Sequence, residues 1–567
     1  MEKIDQILEN PRTRILLFIA ASMLVVAPTF FFGVFDGPDI PQHFQFANTF
    51  EQAIRSGDLY PAWAANENLG YGSLGPRFYP PLFSFVLALA HILMGNWHLA
   101  ICLVFLIFTF VGAVGSYLLA KEFLQPHQAF WAGAIFGLMP YHLVQIYGIS
   151  VYAEFAGCSA LPFCFLFVTR VCKRGTARDV IGLACSYAAL ILIHLPSSIT
   201  GSICLLIYAL VMISRAKIWA TLSKLAIGAS LGLLASSAYW LKMVTELSWL
   251  QHTKFHNERV FDYSYNFLIA ANFFDGGPYP FLTAVFIVTI LMAGLSIWGL
   301  YTSKEFDLLT RLRGAIILFT VSVFMALPIS QPVWELFPFI QTIQFPFRWL
   351  TITTVSGSII VASAIHPLYS YAMRSPDNMR YMKLATGVLA MGFVFVLNLT
   401  WMSGWAALPT SNFDQWVDNK ISSQGLDFWW TAIAKKEAFD TKERVVSNNR
   451  KPTITDWQPY ERDFTVEPGN PGYARIATFF YPRWQAEVNG KAATVLPDEN
   501  GAIIIQLPQE QSIVRLQFQE SPPVKIAIAF SIITWLLMTF ALTFTWINNE
   551  FKMRRSVANL AANEISC

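Results

Sequence analysis

The chain carries a long series of apolar segments, each close to the length of a membrane-spanning helix. A span needs about 20 apolar residues, because the hydrocarbon core of a bilayer is about 30 Å thick. Hydropathy predicts helices at residues 15–35, 97–120, 130–140, 155–171, 180–195, 199–213, 225–240, 281–300, 314–327, 350–365, 384–400 and 524–546. The sequence therefore predicts a polytopic α-helical membrane protein with about twelve transmembrane helices.

Composition supports this class. Hydrophobic residues make up 55% of the chain and charged residues 13%, whereas about a quarter of the residues in a soluble domain are charged. The net charge of +3 is too small to indicate a nucleic-acid partner. The seven cysteines lack metal-ligand spacing, and no disulfide framework is expected.

Basic residues predict the orientation of the helices. The first apolar run is too long for a cleaved signal peptide and lacks a small-residue cleavage site, so it is predicted to be retained. Lys and Arg fall on alternate loops, which are then expected to be cytoplasmic. They are Lys121; Lys173, Arg174 and Arg178; Arg215, Lys217 and Lys224; Lys304, Arg311 and Arg313; Arg374, Arg380 and Lys383; and Lys552, Arg554 and Arg555. This register places both termini in the cytoplasm and requires the apolar stretch 80–94 to be a partial or interfacial outer helix.

The predicted outer loops carry ionisable and aromatic side chains. The first, residues 36–79, is rich in Gly, Pro and aromatics and is predicted to be a structured loop at the membrane surface. Later outer loops contribute His142, Glu154, His194 and Arg348. Because these residues lie at helix ends on one side of the membrane, we expect a shared polar cavity.

The chain changes character after residue 400. The segments YARIATFF, WQAEV, KAATVL, AIIIQL and SIVRLQF show strand-type residue choice, and Asn489-Gly490 stands where a type I′ turn is expected. The predicted domains are a transmembrane domain, 1–400; a small extracytoplasmic domain, 401–522, mainly β; and a last helix with a cytoplasmic tail, 523–567. The β domain has no apparent nucleophile constellation, so a binding or structural role is expected for it.

The stretch FDGPDIPQHFQF places Asp36, Asp39 and His43 directly after the first span. An ordinary interpretation exists, with Asp36 capping a helix and Asp39 solvated at the interface. Asp39 and His43 are four residues apart, so on a helix they share a face, as a proton acceptor and its orienting partner would. Both interpretations stay open at this point.

Several motifs together resemble the GT-C glycosyltransferase superfamily. They are the acidic pair after the first helix, GDLYPAW, GYG and FYPPL in the first outer loop, and IQFPFRWL at residues 343–350. The chain looks most similar to the bacterial membrane proteins labelled 6-pyruvoyl-tetrahydropterin-synthase-related. YPRWQAEVNGK resembles the β domain of related large envelope proteins. The zinc-binding histidines of the soluble synthase have no visible counterpart, so these residues do not support a pterin function.

The resemblance implies transfer of a sugar from a polyprenyl-phosphate donor, such as an undecaprenyl-phosphate sugar, to an envelope polysaccharide, lipid or protein outside the bacterial inner membrane. By analogy with protein O-mannosyltransferases, aminoarabinose transferases and oligosaccharyltransferase catalytic subunits, Asp39 is the expected base. Asp36 is the second candidate, and His43 is placed with them at the catalytic centre. A single displacement would invert the anomeric carbon.

The leaving lipid phosphate needs a cation or a metal near the membrane surface. Arg348, flanked by aromatic residues that suit a polyprenyl chain, is the first candidate and Arg77 the second. Both also fit structural roles, Arg348 as an interfacial anchor. Glu154 lies in the second outer loop, where oligosaccharyltransferases carry acids; their acidic doublet is absent here, so dependence on a divalent metal stays open.

Further substrate-binding candidates are His194, Tyr79 and Trp63. For His194 the alternative is a structural hydrogen bond to the backbone. A candidate aromatic platform for the sugar consists of Tyr141, His142, Tyr147 and Tyr152, although tyrosines at an interface need no such role.

Three functions fit this predicted fold: the transferase, a transporter or flippase of a lipid-linked glycan, and a catalytically inactive envelope assembly scaffold. Paired discontinuous helices and an internal repeat, which indicate transporters, are not evident in the sequence. Fold resemblance alone does not separate an enzyme from a scaffold. Loss of function in Asp39→Asn with normal membrane insertion would distinguish these two, and substrate counterflow would support a transporter.

Overall fold

The computed structural model describes residue 8 and residues 10–251, 258–269, 280–403, 407–421 and 425–565. Up to residue 421 the longer elements are helices. They are α1 (Pro11–Phe32), α2 (Ile40–Arg55), α3 (Gly75–Phe78), α4 (Pro81–Met94), α5 (Trp97–Ala120), α6 (Pro126–Phe136), α7 (Pro140–Tyr147), α8 (Tyr152–Lys173), α9 (Ala177–Ile193), α10 (Leu195–Met212), α11 (Ile218–Ala235), α12 (Ser237–Glu246), α13 (Pro280–Thr302), α14 (Phe306–Arg311), α15 (Arg313–Met325), α16 (Gln331–Leu336), α17 (Leu350–Ala372), α18 (Pro376–Ser403) and α19 (Phe413–Ile421).

Long apolar helices dominate this part of the chain. Among the described residues, nine helical segments are long and apolar enough to cross a membrane. A tenth is added if Arg313–Met325 and Pro328–Leu336, which are bent by 91° at their junction, form one span. The two other predicted spans are also helical, as α9 and α18, but are not among these ten. The predicted class, a polytopic α-helical membrane protein, is confirmed.

Prolines set two helix boundaries. The sequence predicts that a helix ends at Pro140, but this residue instead begins α7, in the first turn where its missing N–H costs nothing. The apolar segment therefore extends over Pro126–Tyr147. Pro81 likewise begins α4, which ends where Gly95 adopts a φ of 65°. With 14 residues, α4 is too short to span a bilayer, in agreement with the predicted partial helix.

The C-terminal region forms two antiparallel sheets, followed by helix α20 (Pro522–Ile565). The strands are β3 (Val445–Ser447), β4 (Pro452–Gln458), β5 (Glu461–Val466), β6 (Gly472–Phe479), β7 (Trp484–Val488), β8 (Lys491–Ala493), β9 (Val495–Pro497), β10 (Ala502–Leu507) and β11 (Ser512–Phe518). One sheet has the order β3-β6-β10-β9 and the other β4-β5-β11-β7-β8. The predicted all-β region is confirmed, and β7, β10 and β11 have the predicted bounds.

The turn between β7 and β8 also follows the prediction. Asn489 and Gly490 have φ values of 51° and 73°, and a type I′ turn requires positive φ at both central residues. A third sheet has only two strands: β1 (Val34–Phe35) pairs with β2 (Ala407–Leu408). Gly33 precedes it with a φ of 105°, and a Cβ there would lie 2.1 Å from a carbonyl oxygen of β2, so only glycine fits.

The first outer loop packs against the β region. Its buried side chains share one apolar core with the strands: Trp63, Tyr71, Leu74 and Phe78 from the loop, with Phe464, Ile476, Ile503 and Leu516 from the sheets. Helix α19 packs on α2, with the Phe44 and Phe413 rings 5.2 Å apart. These contacts fix the chain around the start of α2.

Candidate active site

The two acids after the first span have different surroundings. Asp36 is exposed, whereas Asp39, directly before α2, is half-buried and forms no capping hydrogen bond with that helix. Burial raises the pKa of the Asp39 carboxyl to about 6; the Arg348 guanidinium opposes this shift and the Glu154 carboxylate adds to it. Asp39 is therefore within electrostatic range of both residues.

His43 lies one turn after Asp39 on α2 and is buried among aromatic rings. It stacks on Tyr152 at 5.2 Å and meets the edge of Phe83 at 5.2 Å. Neither ring nitrogen has a hydrogen-bond partner in the described chain. The expected orienting bond from His43 to the Asp39 carboxylate is therefore not formed. Burial lowers the pKa of His43 to about 3, so the ring is neutral near pH 7.

Glu154 and Arg348, 194 residues apart in the chain, form a buried ion pair. Arg348 Nε is 3.1 Å from Glu154 Oε2, and the two side chains are 12% and 0% exposed. The other carboxylate oxygen accepts hydrogen bonds from the Tyr141 hydroxyl at 2.6 Å and from Gln145 and Thr351 at 3.1 Å each. This full set of donors satisfies the buried carboxylate.

The backbone around Arg348 holds its guanidinium in place. Arg348 Nη1 donates to the Ile343 carbonyl at 2.6 Å, and the guanidinium lies 4.7 Å from the centre of the Phe345 ring. Gln344, between them, has a φ of 66°, a conformation uncommon outside glycine. The turn at Gln344 therefore holds the Arg348 guanidinium against the Ile343 carbonyl and the Phe345 ring.

His194 and Tyr79 share the electrostatic environment of these residues. His194 Nδ1 accepts the Ser197 N–H at 3.3 Å, which leaves the ring proton on Nε2 in the neutral form. Burial lowers the pKa of His194, and the Arg348 charge adds to the effect. Burial raises the pKa of Tyr79, and the Asp39 carboxylate adds to that shift. Six of the predicted site residues thus form one polar cluster: Asp39, His43, Tyr79, Glu154, His194 and Arg348.

The structure does not bring Arg77 and Trp63 to the polar cluster. Arg77 is fully buried, and its guanidinium pairs with Glu246 at 2.6 Å and Glu520 at 2.5 Å, so its charge is already neutralised. The Trp63 ring is buried in the β-region core, 5.7 Å from Trp484. The surroundings of both residues therefore indicate that they stabilise the fold.

The predicted aromatic platform is also not available to a ligand. Its members are buried, with exposed fractions of 5% or less: Tyr141, His142, Tyr147 and Tyr152. Tyr141 instead orients Glu154, and Tyr152 packs on His43. Among the described residues, no three His, Cys, Asp or Glu side chains are grouped as metal ligands.

The fold and the polar cluster define a multi-pass membrane protein in which a carboxyl group lies within electrostatic range of a buried carboxylate–guanidinium pair. The sequence profile described as "6-pyruvoyl-tetrahydropterin synthase related domain; membrane protein" matches residues 76–403, more than half of the chain. The chain belongs to this family, as its motifs predicted. No curated protein matches the sequence.

The fold is also similar to solved membrane proteins. One is ArnT from Cupriavidus metallidurans bound to undecaprenyl phosphate, with 15% identity over 73% of this chain and 77% of that chain and a TM-score of 0.43. Another is the apo oligosaccharyltransferase of Archaeoglobus fulgidus, with 14% identity over 75% of this chain and 57% of that chain and a TM-score of 0.38.

Proposed function

We propose that the chain is a GT-C type membrane glycosyltransferase that moves a sugar from a polyprenyl-phosphate donor to an acceptor hydroxyl outside the bacterial cytoplasmic membrane. The main support is one observation: the Asp39 carboxyl, with a pKa of about 6, is in range of an Arg348 guanidinium held by Glu154. A general base and a phosphate-binding cation are the two groups that this displacement requires.

Asp39 acts as the general base in this proposal. The acceptor oxygen attacks the anomeric carbon while its proton passes to the Asp39 carboxylate. The bond between that carbon and the phosphate oxygen breaks, and its electron pair leaves with the polyprenyl phosphate. A pKa of about 6 keeps Asp39 mostly ionised near pH 7 and still close to the operating pH, as an efficient base requires.

Arg348 binds the leaving phosphate. Its Nε and Nη1 are used by Glu154 and the Ile343 carbonyl, which fixes the guanidinium plane. Nη2 has no hydrogen-bond partner in the described chain, so it can donate to a phosphate oxygen as negative charge grows there. Glu154 therefore positions Arg348, and Arg348 meets the substrate.

An apolar surface near Arg348 suits the polyprenyl tail. Leu336, Phe337 and Phe339 are 71%, 47% and 57% exposed, and they precede the turn that carries Arg348. Exposed apolar groups that precede a phosphate-binding cation in the chain suit a ligand with a charged head and a hydrocarbon tail.

The remaining predictions from the sequence belong to this proposal. Both termini are taken to lie in the cytoplasm, the polar cluster to face the periplasm or cell exterior, and the acceptor to be a glycan, lipid or protein. The division into domains 1–400, 401–522 and 523–567 stays a prediction as well.

The test is sugar transfer by the purified chain from a panel of radiolabelled polyprenyl-phosphate sugars into envelope fractions. We expect incorporation from at least one donor, its loss in Asp39→Asn and Arg348→Ala, and its retention in Asp36→Asn. No incorporation from any donor, together with normal growth of cells carrying Asp39→Asn, would contradict the proposal and favour a scaffold.

A further inference from the structure

A short turn from the C-terminal half of the chain, Asp427–Trp429, lies outside the residues matched by the family profile. The outer loop fixes its position. Asn68 Oδ1 accepts hydrogen bonds from the Gly425 N–H and the Trp430 Nε1–H, each at 2.9 Å. The Leu74 N–H donates to the Trp429 carbonyl at 3.0 Å. The turn is thus held at both ends.

One side of this turn reaches the Asp39 end of the polar cluster. The Trp429 ring is 5.8 Å from Tyr79 and 5.6 Å from Phe46, in both cases edge to face. Tyr79 in turn is within electrostatic range of Asp39. Trp429 therefore contacts a side chain that lies within electrostatic range of the proposed base.

The other side of the turn reaches the Arg348 end. The Phe428 ring is 6.0 Å from Phe261, which is 6.2 Å from Phe345, the ring beneath the Arg348 guanidinium. The turn therefore connects the two ends of the cluster through an aromatic rim. Its members are Phe46, Tyr79, Phe261, Phe345, Phe428 and Trp429.

The indole N–H of Trp429 lacks a partner. Its Nε1 atom is buried and forms no hydrogen bond within the described chain, although the ring as a whole is only half-buried. A buried donor without a partner is costly, and tryptophan N–H groups usually find one. A ligand oxygen would supply that partner once the buried indole edge is uncovered.

We infer that Trp429, with Tyr79, forms a saccharide-binding subsite for the acceptor, so that the hydroxyl which receives the new sugar itself belongs to a sugar. A pyranose has an apolar C–H face that packs on aromatic rings and hydroxyl oxygens that accept a hydrogen bond from the indole N–H. Ligand sites lined by aromatic side chains and a few polar groups bind molecules of this kind. The subsite lies on the Asp39 side, where the acceptor proton must be removed. This inference rests on the proposed function.

The experiment measures equilibrium binding of methyl glycosides of glucose, galactose, mannose and N-acetylglucosamine to the purified full chain, and then sugar transfer to the same compounds. Trp429→Phe keeps an aromatic ring and removes the N–H. Trp484→Phe is the matched control, because Trp484 Nε1 is also buried without a partner but lies in the β-region core. Asp39→Asn serves as the transfer-negative variant.

We expect Trp429→Phe to weaken glycoside binding and raise the acceptor KM about two- to tenfold, the effect of one neutral hydrogen bond. The value of kcat should change little, and Trp429→Ala should lose more. Trp484→Phe should match wild type, and Asp39→Asn should bind glycosides normally.

Three results would overturn the inference: no glycoside binding by wild type, unchanged binding in both Trp429 variants, or transfer to serine and threonine peptides but not to glycosides. The last result leaves the proposed function intact. Glycoside binding that depends on Trp429, in a chain that transfers no sugar, would support the saccharide site and contradict the proposed function alone.

Discussion

Asp39 must be ionised to accept a proton, and this makes its pKa measurable in the rate of transfer. Because burial raises that pKa to about 6, kcat/KM should rise with pH and level off above about pH 6. Activity should thus be lost as pH falls through 6, and not only near the lower pKa of an ordinary aspartate. A pH–rate profile checks this, with Asp36→Asn as the control that keeps the same profile. A flat profile would argue against Asp39 as the base.

The Glu154–Arg348 pair allows structural and functional roles to be separated. Arg348→Ala leaves a fully buried carboxylate without its cation, which costs about 3–5 kcal/mol of stability. The double variant Glu154→Gln with Arg348→Met removes both charges and should recover most of the thermal stability, but not transfer. Thermal unfolding and sugar transfer measured on the same preparations check this. Wild-type transfer by the double variant would show that Arg348 does not bind the phosphate.

The sequence identified the residues of the polar cluster individually, but it did not predict which of them contact one another. Acids and bases at helix ends marked Asp39, Glu154 and Arg348, because ionisable groups there are unusual in a membrane protein. The pairing of Glu154 with Arg348 depends on how separate helices pack, which no local pattern encodes. Trp429 was missed for the same reason, since nothing in its neighbourhood distinguishes it from a core residue of the β region.

Within the first outer loop, two glycines with similar backbone angles have different surroundings. Gly72 has a φ of 82°, and a Cβ there would lie 2.2 Å from the Trp63 indole; Gly70 has a φ of 92° and open space within 4 Å. Alanine at either position carries the backbone cost of about 1–2 kcal/mol, but Gly72→Ala must also displace Trp63. Thermal unfolding should therefore show a clearly larger loss for Gly72→Ala. Equal losses would mean that the loop does not pack on Trp63 as described.

Element prediction succeeded where side-chain periodicity was strong. The alternating burial of β7 follows its alternating sequence, and the apolar lengths marked the long helices. Strands β4 and β5 were not predicted. β4 lacks clear alternation in its burial, and β5 begins with the charged residues Glu461, Arg462 and Asp463, which a local reading does not assign to a strand.

At the scale of the whole molecule, one buried charge group joins the helical part to the β region. Arg77 from α3 pairs with Glu246 at the end of α12 and with Glu520, between β11 and α20, and it contacts Tyr481. Arg77→Met would leave the Glu520 carboxylate without its cation and Glu246 with Arg483 alone, and should cost about 3–5 kcal/mol.

The control is Arg515→Met, which removes an exposed pair with Glu461 and should change stability little. Thermal unfolding and protease sensitivity of the β region check both variants. Equal losses of stability and equal protease sensitivity in the two variants would contradict the role of Arg77 in holding the helical part and the β region together. The sequence made Arg77 a second candidate for the phosphate site, beside a structural role, because a basic residue in an outer loop is visible locally. Its two carboxylate partners lie 169 and 443 residues further along the chain.

The most direct measurement of the central claim is a single-turnover experiment with labelled donor bound before the acceptor is added. The rate constant of sugar transfer is compared among wild type, Asp39→Asn and Asp36→Asn, with donor binding measured in each. We expect a loss of about 10²–10⁴-fold in Asp39→Asn, the usual contribution of a general base, with donor binding and the Asp36→Asn rate both close to wild type. An unchanged rate in Asp39→Asn, or a loss confined to Asp36→Asn, would contradict the central claim.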